Sequence, residues 1–403
     1  MPPDARTQGD PTPEHGRAAR IARAARDATR LAGVAPAVDP AAPAAHVAPG
    51  ARVVAAMSGG VDSAVAAALA VAAGYDVVGV SMRLGAARAR SEGHRGCCSL
   101  DDFDDARRCA ARIGIPHYVV DLRETFESTV MADFASSYLA GRTPNPCAVC
   151  NRDVKFSALW EMAATLGASA IATGHYARIA SAPDGGLGLS TARDPAKDQS
   201  YFLFMLGQDE LARTLFPVGD LPKGAVRAIA GALELPVARK PESQDICFVA
   251  GRRYDEVVEE IARDAPRTPG RIVDAAGVVL ARHDGVHRFT VGQRRGLGGG
   301  SSEPRYVSSI DAATGDVVVG PRSGLAHAGC LVRDVRWTGA PFRGATRVRL
   351  RHRHAPVACV VEPAGDRVAV AFPEPTPGVS PGQAAVWYEG ERVLGGGWIE
   401  RAL

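Results

Sequence analysis

The chain has 403 residues, 46% of them apolar and 23% charged, an ordinary globular composition with room for two or three domains. No apolar run approaches the roughly 20 residues needed to cross a bilayer, and the N-terminus lacks a secretory apolar core, so a cytoplasmic protein with no membrane partner is expected. A net charge of +3 is too small to imply a polyanionic partner by itself, and eight cysteines without secretory features point to thiol chemistry or metal binding rather than a disulfide framework.

Residues 1–50 are rich in Ala, Pro and Arg. A short helix over 15–31 followed by a linker-like Pro/Ala run is expected there, as a disordered or partly helical extension outside the fold. Its six arginines are nearly balanced by five acids, which argues against an organellar transit peptide. From Arg52 the pattern alternates: strand 53–57, helix 63–73, strand 76–82, helix 102–113, strand 117–120 and strand 170–173. That is the grammar of a parallel sheet wound with helical crossovers, an α/β domain over 51–247. Beyond about Val249 the runs become short, β-prone and broken by Gly, Pro and Asp. Strands near 270–280, 305–310 and 316–319 suggest a small central β-rich domain over 248–320. Strands 346–352, 357–361, 368–372 and 384–388 suggest a C-terminal β-barrel or sandwich over 321–403. There are no internal repeats.

The string Ser58-Gly59-Gly60-Val61-Asp62-Ser63 sits between a buried strand and a helix start. Free backbone N–H groups and the positive helix end would converge there on one point, an anion cradle. No Lys follows the glycines as in a Walker A loop, so the pattern fits a grip on the pyrophosphate of ATP while the α-phosphate is attacked. A tight turn with Ser58 as N-cap is the bland alternative.

Thr143-Pro144-Asn145-Pro146-Cys147-Ala148-Val149-Cys150-Asn151 reads as a Pro-bounded loop presenting two thiols before a helix near Asp153, a setting that favours thiolate. A third thiol, Cys247, lies in Ser243-Gln244-Asp245-Ile246-Cys247-Phe248. A persulfide can form on such a thiol, and a second thiol can then attack the sulfane bond to release sulfur. The pair also reads as half a zinc site or as inert packing. The three together read as the ligands of an iron–sulfur cluster, a [4Fe-4S] centre with one open iron.

The glycine loop resembles that of the PP-loop ATP pyrophosphatases. Further strings make the resemblance specific: Thr173-Gly174-His175-Tyr176, Lys197-Asp198-Gln199-Ser200-Tyr201-Phe202, Gly292-Gln293-Arg294-Arg295-Gly296-Leu297 and Pro381-Gly382-Gln383. With these, the chain from residue 51 onward is similar to the bacterial tRNA-specific 2-thiouridylases. The resemblance implies an ATP-dependent enzyme, with Mg²⁺ on the phosphates, that converts the wobble uridine of tRNA to 2-thiouridine. Sulfur would come from a donor protein, a cysteine desulfurase or sulfur relay protein. It implies that Ala56, Met57, Ser58, Gly59, Gly60, Val61, Asp62, Ser63, Met82 and Gly174 bind ATP. Cys247 would carry the persulfide, and Cys150 would be the nucleophile that frees its sulfur, leaving a Cys150–Cys247 disulfide. Asn145, Pro146, Cys147, His175, Lys197, Asp198, Gln199, Arg351, His352 and Gln383 would contact tRNA. The chain departs from the family pattern at Cys147, where many relatives have Asp, and at His352, where Tyr is usual.

Two features outside those strings bear on RNA. Arg347, Arg349, Arg351 and Arg353 alternate along an expected strand, which would align four guanidiniums on one face, suited to phosphates. His175 follows a strand end, where ligands of open α/β sheets gather, although such a histidine also reads as a satisfied core residue. Adjacent Cys97 and Cys98 read as small packing residues.

Overall fold

This computed structural model describes residues 13–35, 38–85, 100–242, 246–249, 251–298 and 303–403. Five short parallel strands form the first sheet. In chain order the elements are β1 (Arg52–Ala56), α2 (Val61–Ala72), β2 (Asp76–Arg83), α3 (Leu100–Ile113), β3 (His117–Asp121) and β4 (Ala170–Ala172). A hairpin of β5 (Ala177–Ser181) and β6 (Leu187–Thr191) follows, then β7 (Thr214–Leu215) and the helix α4 (Lys223–Ala232). The sheet order is β3-β2-β1-β4-β7. Successive crossovers leave β1 on opposite sides, so a crevice opens at the carboxyl ends of β1 and β4. Helix α2 is Ala- and Val-rich and buried on nearly every face, as befits a helix covered on all sides.

The described part of the N-terminal segment, expected to stand outside the fold, packs onto it. Helix α1 (Pro13–Leu31) places Ile21, Ala25 and Ala28 at 4- and 3-residue spacing, and all three are buried in the core that holds α2 and α4. The small side chains let α1 approach Ala-rich α2 closely. The following stretch is also tied down: the Ala44 N–H donates to the Tyr75 hydroxyl (2.9 Å), and His46 Nε2 meets the Thr214 carbonyl (2.9 Å).

The central region opens with α5 (Tyr254–Ile261), a helix that the β-prone reading missed, and continues as a four-stranded sheet of Gly270–Val273, Val279–His283, Tyr306–Asp311 and Asp316–Gly320. The last region is a closed six-stranded barrel. Its strands Ala326–Trp337 and Arg392–Ala402, neither expected from the sequence, pair with each other and close it. Hairpin β5–β6 adds to this barrel through Arg392 opposite Ser190 and Val393 opposite Leu189. The barrel strand Ala384–Glu389 is buried on both faces. Ala385 and Trp387 point into the barrel core, while Ala384, Val386 and Tyr388 join a core shared with β1 and β4.

Candidate active site

The glycine loop lies at the sheet crevice. Met57 N–H donates to the Val80 carbonyl (2.8 Å), which holds the end of β1 to β2. The Ser63 hydroxyl folds back under the loop, accepting from Ser58 N–H (3.1 Å), meeting Ser58 Oγ (3.1 Å) and donating to the Gly60 carbonyl (3.1 Å). Gly59 has φ +71°, and a Cβ there would overlap the Asp102 carbonyl, so only glycine fits. Gly60 is the N-cap of α2 and brings no side chain to cap it, which leaves the first-turn N–H groups facing the crevice.

Gly174 packs against this turn: a Cβ would stand 2.7 Å from both the Asp62 carbonyl carbon and Ser63 N. The glycine therefore lets the β4 end close onto the loop, beside which the ATP set was expected. Met82 lies near the carboxyl end of β2 and packs against the shared core.

The two thiols of the Pro-bounded segment are not in a loop. A helix begins at Pro146, with Asn145 as N-cap accepting from Ala148 N–H (3.3 Å), and continues through a π-helical stretch to Thr165. Pro146 at the first helical position needs no N–H partner, so helix starts there rather than near Asp153. Cys147 is exposed in the first turn; Cys150, one turn on, is buried. Cys247 is partly buried and packs with Phe248 against the core that contains Cys150. Phe248 is pinned edge-on between Phe126 (5.7 Å) and Phe134 (5.0 Å). Ser243, Gln244 and Asp245 of that string, like Cys97 and Cys98, lie outside the described residues. Among the described residues no three of His, Cys, Asp and Glu gather as a metal site.

Several residues expected to face RNA also bond to other parts of the protein. Asp198 is buried; its carboxylate accepts from Ala192 N–H and Ser200 N–H (both 3.1 Å), Ser200 Oγ (3.1 Å) and Arg349 (2.6 Å). Lys197 pairs with Glu242 (2.5 Å). Gln199 bonds the Tyr176 backbone in both directions, its side-chain oxygen accepting at 2.9 Å and its N–H donating at 2.8 Å. Gln383 Nε2 donates to the Thr143 (3.1 Å) and Pro144 (2.9 Å) carbonyls, and a Cβ on Gly382 would meet Thr143 O at 2.8 Å. The Pro381-Gly382-Gln383 string thus seats the barrel on the segment that leads into the cysteine helix.

The four arginines expected in a row do not share one strand face. The strand ends at Arg349, which turns inward to Asp198 and over the Tyr388 ring (4.9 Å); Arg351 donates to the Val291 carbonyl (3.1 Å). His352 packs on the Phe202 ring (4.4 Å) and its Nε2 meets the Asp198 carbonyl (3.0 Å). Arg353 is exposed. His175 sits at the carboxyl end of β4, stacked on Phe156 (5.9 Å), with Nδ1 2.9 Å from Thr173 Oγ1. It is half-buried, and burial, with a smaller push from Lys155, lowers its pKa to about 3, so the ring is neutral at physiological pH. A neutral imidazole hydrogen-bonds or stacks on a base rather than neutralising a phosphate. A cleft of about 750 Å³ between α5 and the central sheet is lined by Arg252, Arg253, Arg282, Arg288 and Arg295 together with Asp255 and Asp284, and Arg252, Arg253 and Arg288 are paired with Glu260, Asp255 and Glu259.

Sequence reasoning missed the groups behind the loop. Lys223 Nζ donates to both Asp62 oxygens (2.6 and 2.7 Å) and to Glu242 (2.9 Å), and Tyr176 OH donates to Asp62 (2.8 Å). Lys240 Nζ reaches the Gly59 carbonyl (2.8 Å), Asp102 (2.6 Å) and Asp105 (2.6 Å). Both lysines lie more than 150 residues from the loop, so no local spacing announces them.

The parallel sheet, its switch-point crevice and the uncapped glycine loop are those of the PP-loop class. Three segments match domain profiles of one family. These are described as tRNA methyl transferase HUP domain (51–251), tRNA methyl transferase PRC-barrel domain (259–321) and aminomethyltransferase beta-barrel domain (327–399). The tRNA-specific 2-thiouridylase MnmA of Geotalea uraniireducens (strain Rf4) is 49% identical over 359 residues, covering 87% of this chain and 96% of that protein. The protein of the same name from Rhizorhabdus wittichii is 49% identical over 358 residues, with 88% and 93% covered. The chain belongs to the tRNA-specific 2-thiouridylase family. Helix α1 lies before the first matched segment.

Proposed function

We propose that the chain uses ATP to replace the 2-oxo group of the wobble uridine in tRNA by sulfur. The observation that carries this reading is the joining of an uncapped glycine loop, at the switch point of the sheet, to a cysteine helix whose Cys150 shares a core with Cys247. Neither a carboxylate-adenylating ligase nor a methyl transfer, the word in two of the profile descriptions, calls for that pair of thiols.

In the proposed sequence the first-turn N–H groups of α2 hold the pyrophosphate end of ATP while the uracil O2 attacks the α-phosphorus. Pyrophosphate leaves, and the base carries AMP, a far better leaving group than oxide. Mg²⁺ would supply charge neutralisation on the phosphates; the Asp62 carboxylate beside the loop has both oxygens bonded by Lys223 and would have to release that lysine to serve as a ligand. A donor protein leaves a persulfide, Cys247–S–SH. Its terminal sulfur attacks C2, the C2–O bond to AMP breaks, and Cys150 thiolate attacks the Cys247 sulfur. The thiocarbonyl is released and a Cys150–Cys247 disulfide remains, which a thiol reductant returns to two thiols. Cys147, exposed at the helix start, and neutral His175 would lie beside the base, and the arginine-lined cleft would take the backbone.

The test is single-turnover thiolation of unmodified tRNA with ATP and a persulfide donor. Cys150→Ser and Cys247→Ser are expected to lose turnover by at least about 10³-fold, as for removed nucleophiles, while Cys147→Ser keeps most of it. A Cys247→Ser protein that thiolates at the wild-type rate removes the central step, and activity that tracks bound iron and is lost in Cys147→Ser replaces it with cluster chemistry.

A further inference from the structure

The glycine loop has no lysine of its own, yet a lysine stands directly behind it. Lys240 Nζ donates to the Gly59 carbonyl at 2.8 Å and to the carboxylates of Asp102 and Asp105 at 2.6 Å each. Its side chain is only 16% exposed, and the two acids are 8% and 15% exposed. Both acids come from the first turns of α3, the element whose backbone at Asp102 also abuts Gly59. With two anchors on α3, the ammonium has little freedom of position. Burial works against its charge, but the bonds to Asp102 and Asp105 outweigh that and raise its pKa, so it remains an ammonium donor.

The consequence follows from peptide geometry. In a planar trans peptide the C=O and the next N–H point in opposite directions. Fixing the Gly59 carbonyl toward Lys240 therefore aims the Gly60 N–H the other way, toward the open side of the loop. Gly59 and Gly60, free of side chains, are the residues whose peptide plane turns most readily. A Walker A lysine touches the phosphate itself; this one stands on the opposite side of the peptide and cannot do so at the same time as it holds Gly59 and the two acids.

We propose that Lys240 is a positioning residue for the ATP step, holding the Gly59–Gly60 peptide in the orientation that presents the Gly60 N–H to the phosphates. The inference rests on the reading of this loop as an ATP site. Glu242, two residues on, is held by Lys223, which also grips Asp62, so the same stretch of chain is stapled to the loop at two points.

The test compares Lys240→Met, Lys240→Gln and Lys240→Arg in the full-length protein. ATP affinity is measured by titration without tRNA or sulfur donor, and KM for ATP and for tRNA by turnover. Thermal melting confirms folding. Lost hydrogen bonds to a charged group are worth roughly 10- to 100-fold, so Met and Gln are expected to weaken ATP binding and raise its KM by about 10-fold or more. KM for tRNA is expected to stay within about twofold, and Arg to recover most of the ATP affinity, because a cation again spans the acids and the carbonyl. A purely structural lysine would lower the folded fraction without separating the two KM values. Should Met fail to fold, Gln carries the test. A folded Met or Gln variant with wild-type ATP affinity, or equal rises in both KM values, overturns the proposal while leaving the ATP reading intact; wild-type protein that binds no ATP removes both.

Discussion

Asp198 shows how one buried side chain decides what its neighbours do. Its carboxylate is 3% exposed and is bonded by two backbone N–H groups, one hydroxyl and Arg349, itself 16% exposed. A buried charge of this kind is stable only while every lone pair is met, and removing one partner leaves the other charge stranded. Asp198→Ala is therefore expected to cost about 3–5 kcal/mol, read from urea unfolding, whereas Asp198→Ala with Arg349→Met recovers most of it. An Asp198→Ala protein of wild-type stability would show that the pair is solvated. The same contact explains why the alternating arginines misled. Period-2 spacing holds only while the strand lasts, and here Arg349 is drawn inward by an acid 151 positions earlier in the chain, so the row ends at that residue. Ser58 to Ser63 was legible for the opposite reason: the string is contiguous and its turn is closed by bonds within five residues, even though Lys223 and Lys240 brace it from far along the chain.

At the scale of elements, the stretch from Lys240 to Glu242 has no regular structure of its own yet bridges the glycine loop, α3 and α4 through side chains. Strand and helix periodicity carries no signal for such a segment, whereas the sheet around it was readable because each strand is a buried run beside a turn. Glu242 gives the segment a pH signature. Burial alone would raise its pKa, but hydrogen bonds from Lys197 and Lys223 dominate and hold it at about 2, below the ordinary 4.5. A carboxylate with a depressed folded-state pKa contributes stability above its unfolded value, and that contribution fades as pH falls through the folded one. The stability gap between wild type and Glu242→Gln is thus expected to be constant from neutral pH down to about 5. It should shrink from 4.5 toward about 2, measured by denaturant titration across that range. A gap that stays unchanged at pH 3 would mean the ion pairs do not persist in solution.

On the scale of the whole molecule, sequence grammar separated a sheet domain from a barrel, but the packing joins them. Val54 and Ile171 of the parallel sheet share a core with Ala384, Val386, Tyr388 and Trp398 of the barrel, and hairpin β5–β6 extends the barrel wall. The central sheet keeps a core of its own, Ile272, Phe289, Leu297, Val307, Val317 and Val319. Elements that share one core unfold together, and a separate core is free to melt by itself. Two transitions are therefore expected rather than three. The four tryptophans make this measurable: Trp160 lies in the sheet domain and Trp337, Trp387 and Trp398 in the barrel. Tryptophan fluorescence should report one transition only, the joint melting of sheet domain and barrel. Amide exchange in Tyr306–Asp311 and Asp316–Gly320 should report the other. Two separate fluorescence transitions would show that the barrel is an independent unit. In that case the bonds from Gln383 to Thr143 and Pro144 would be a docking contact made after folding, not a product of one shared core.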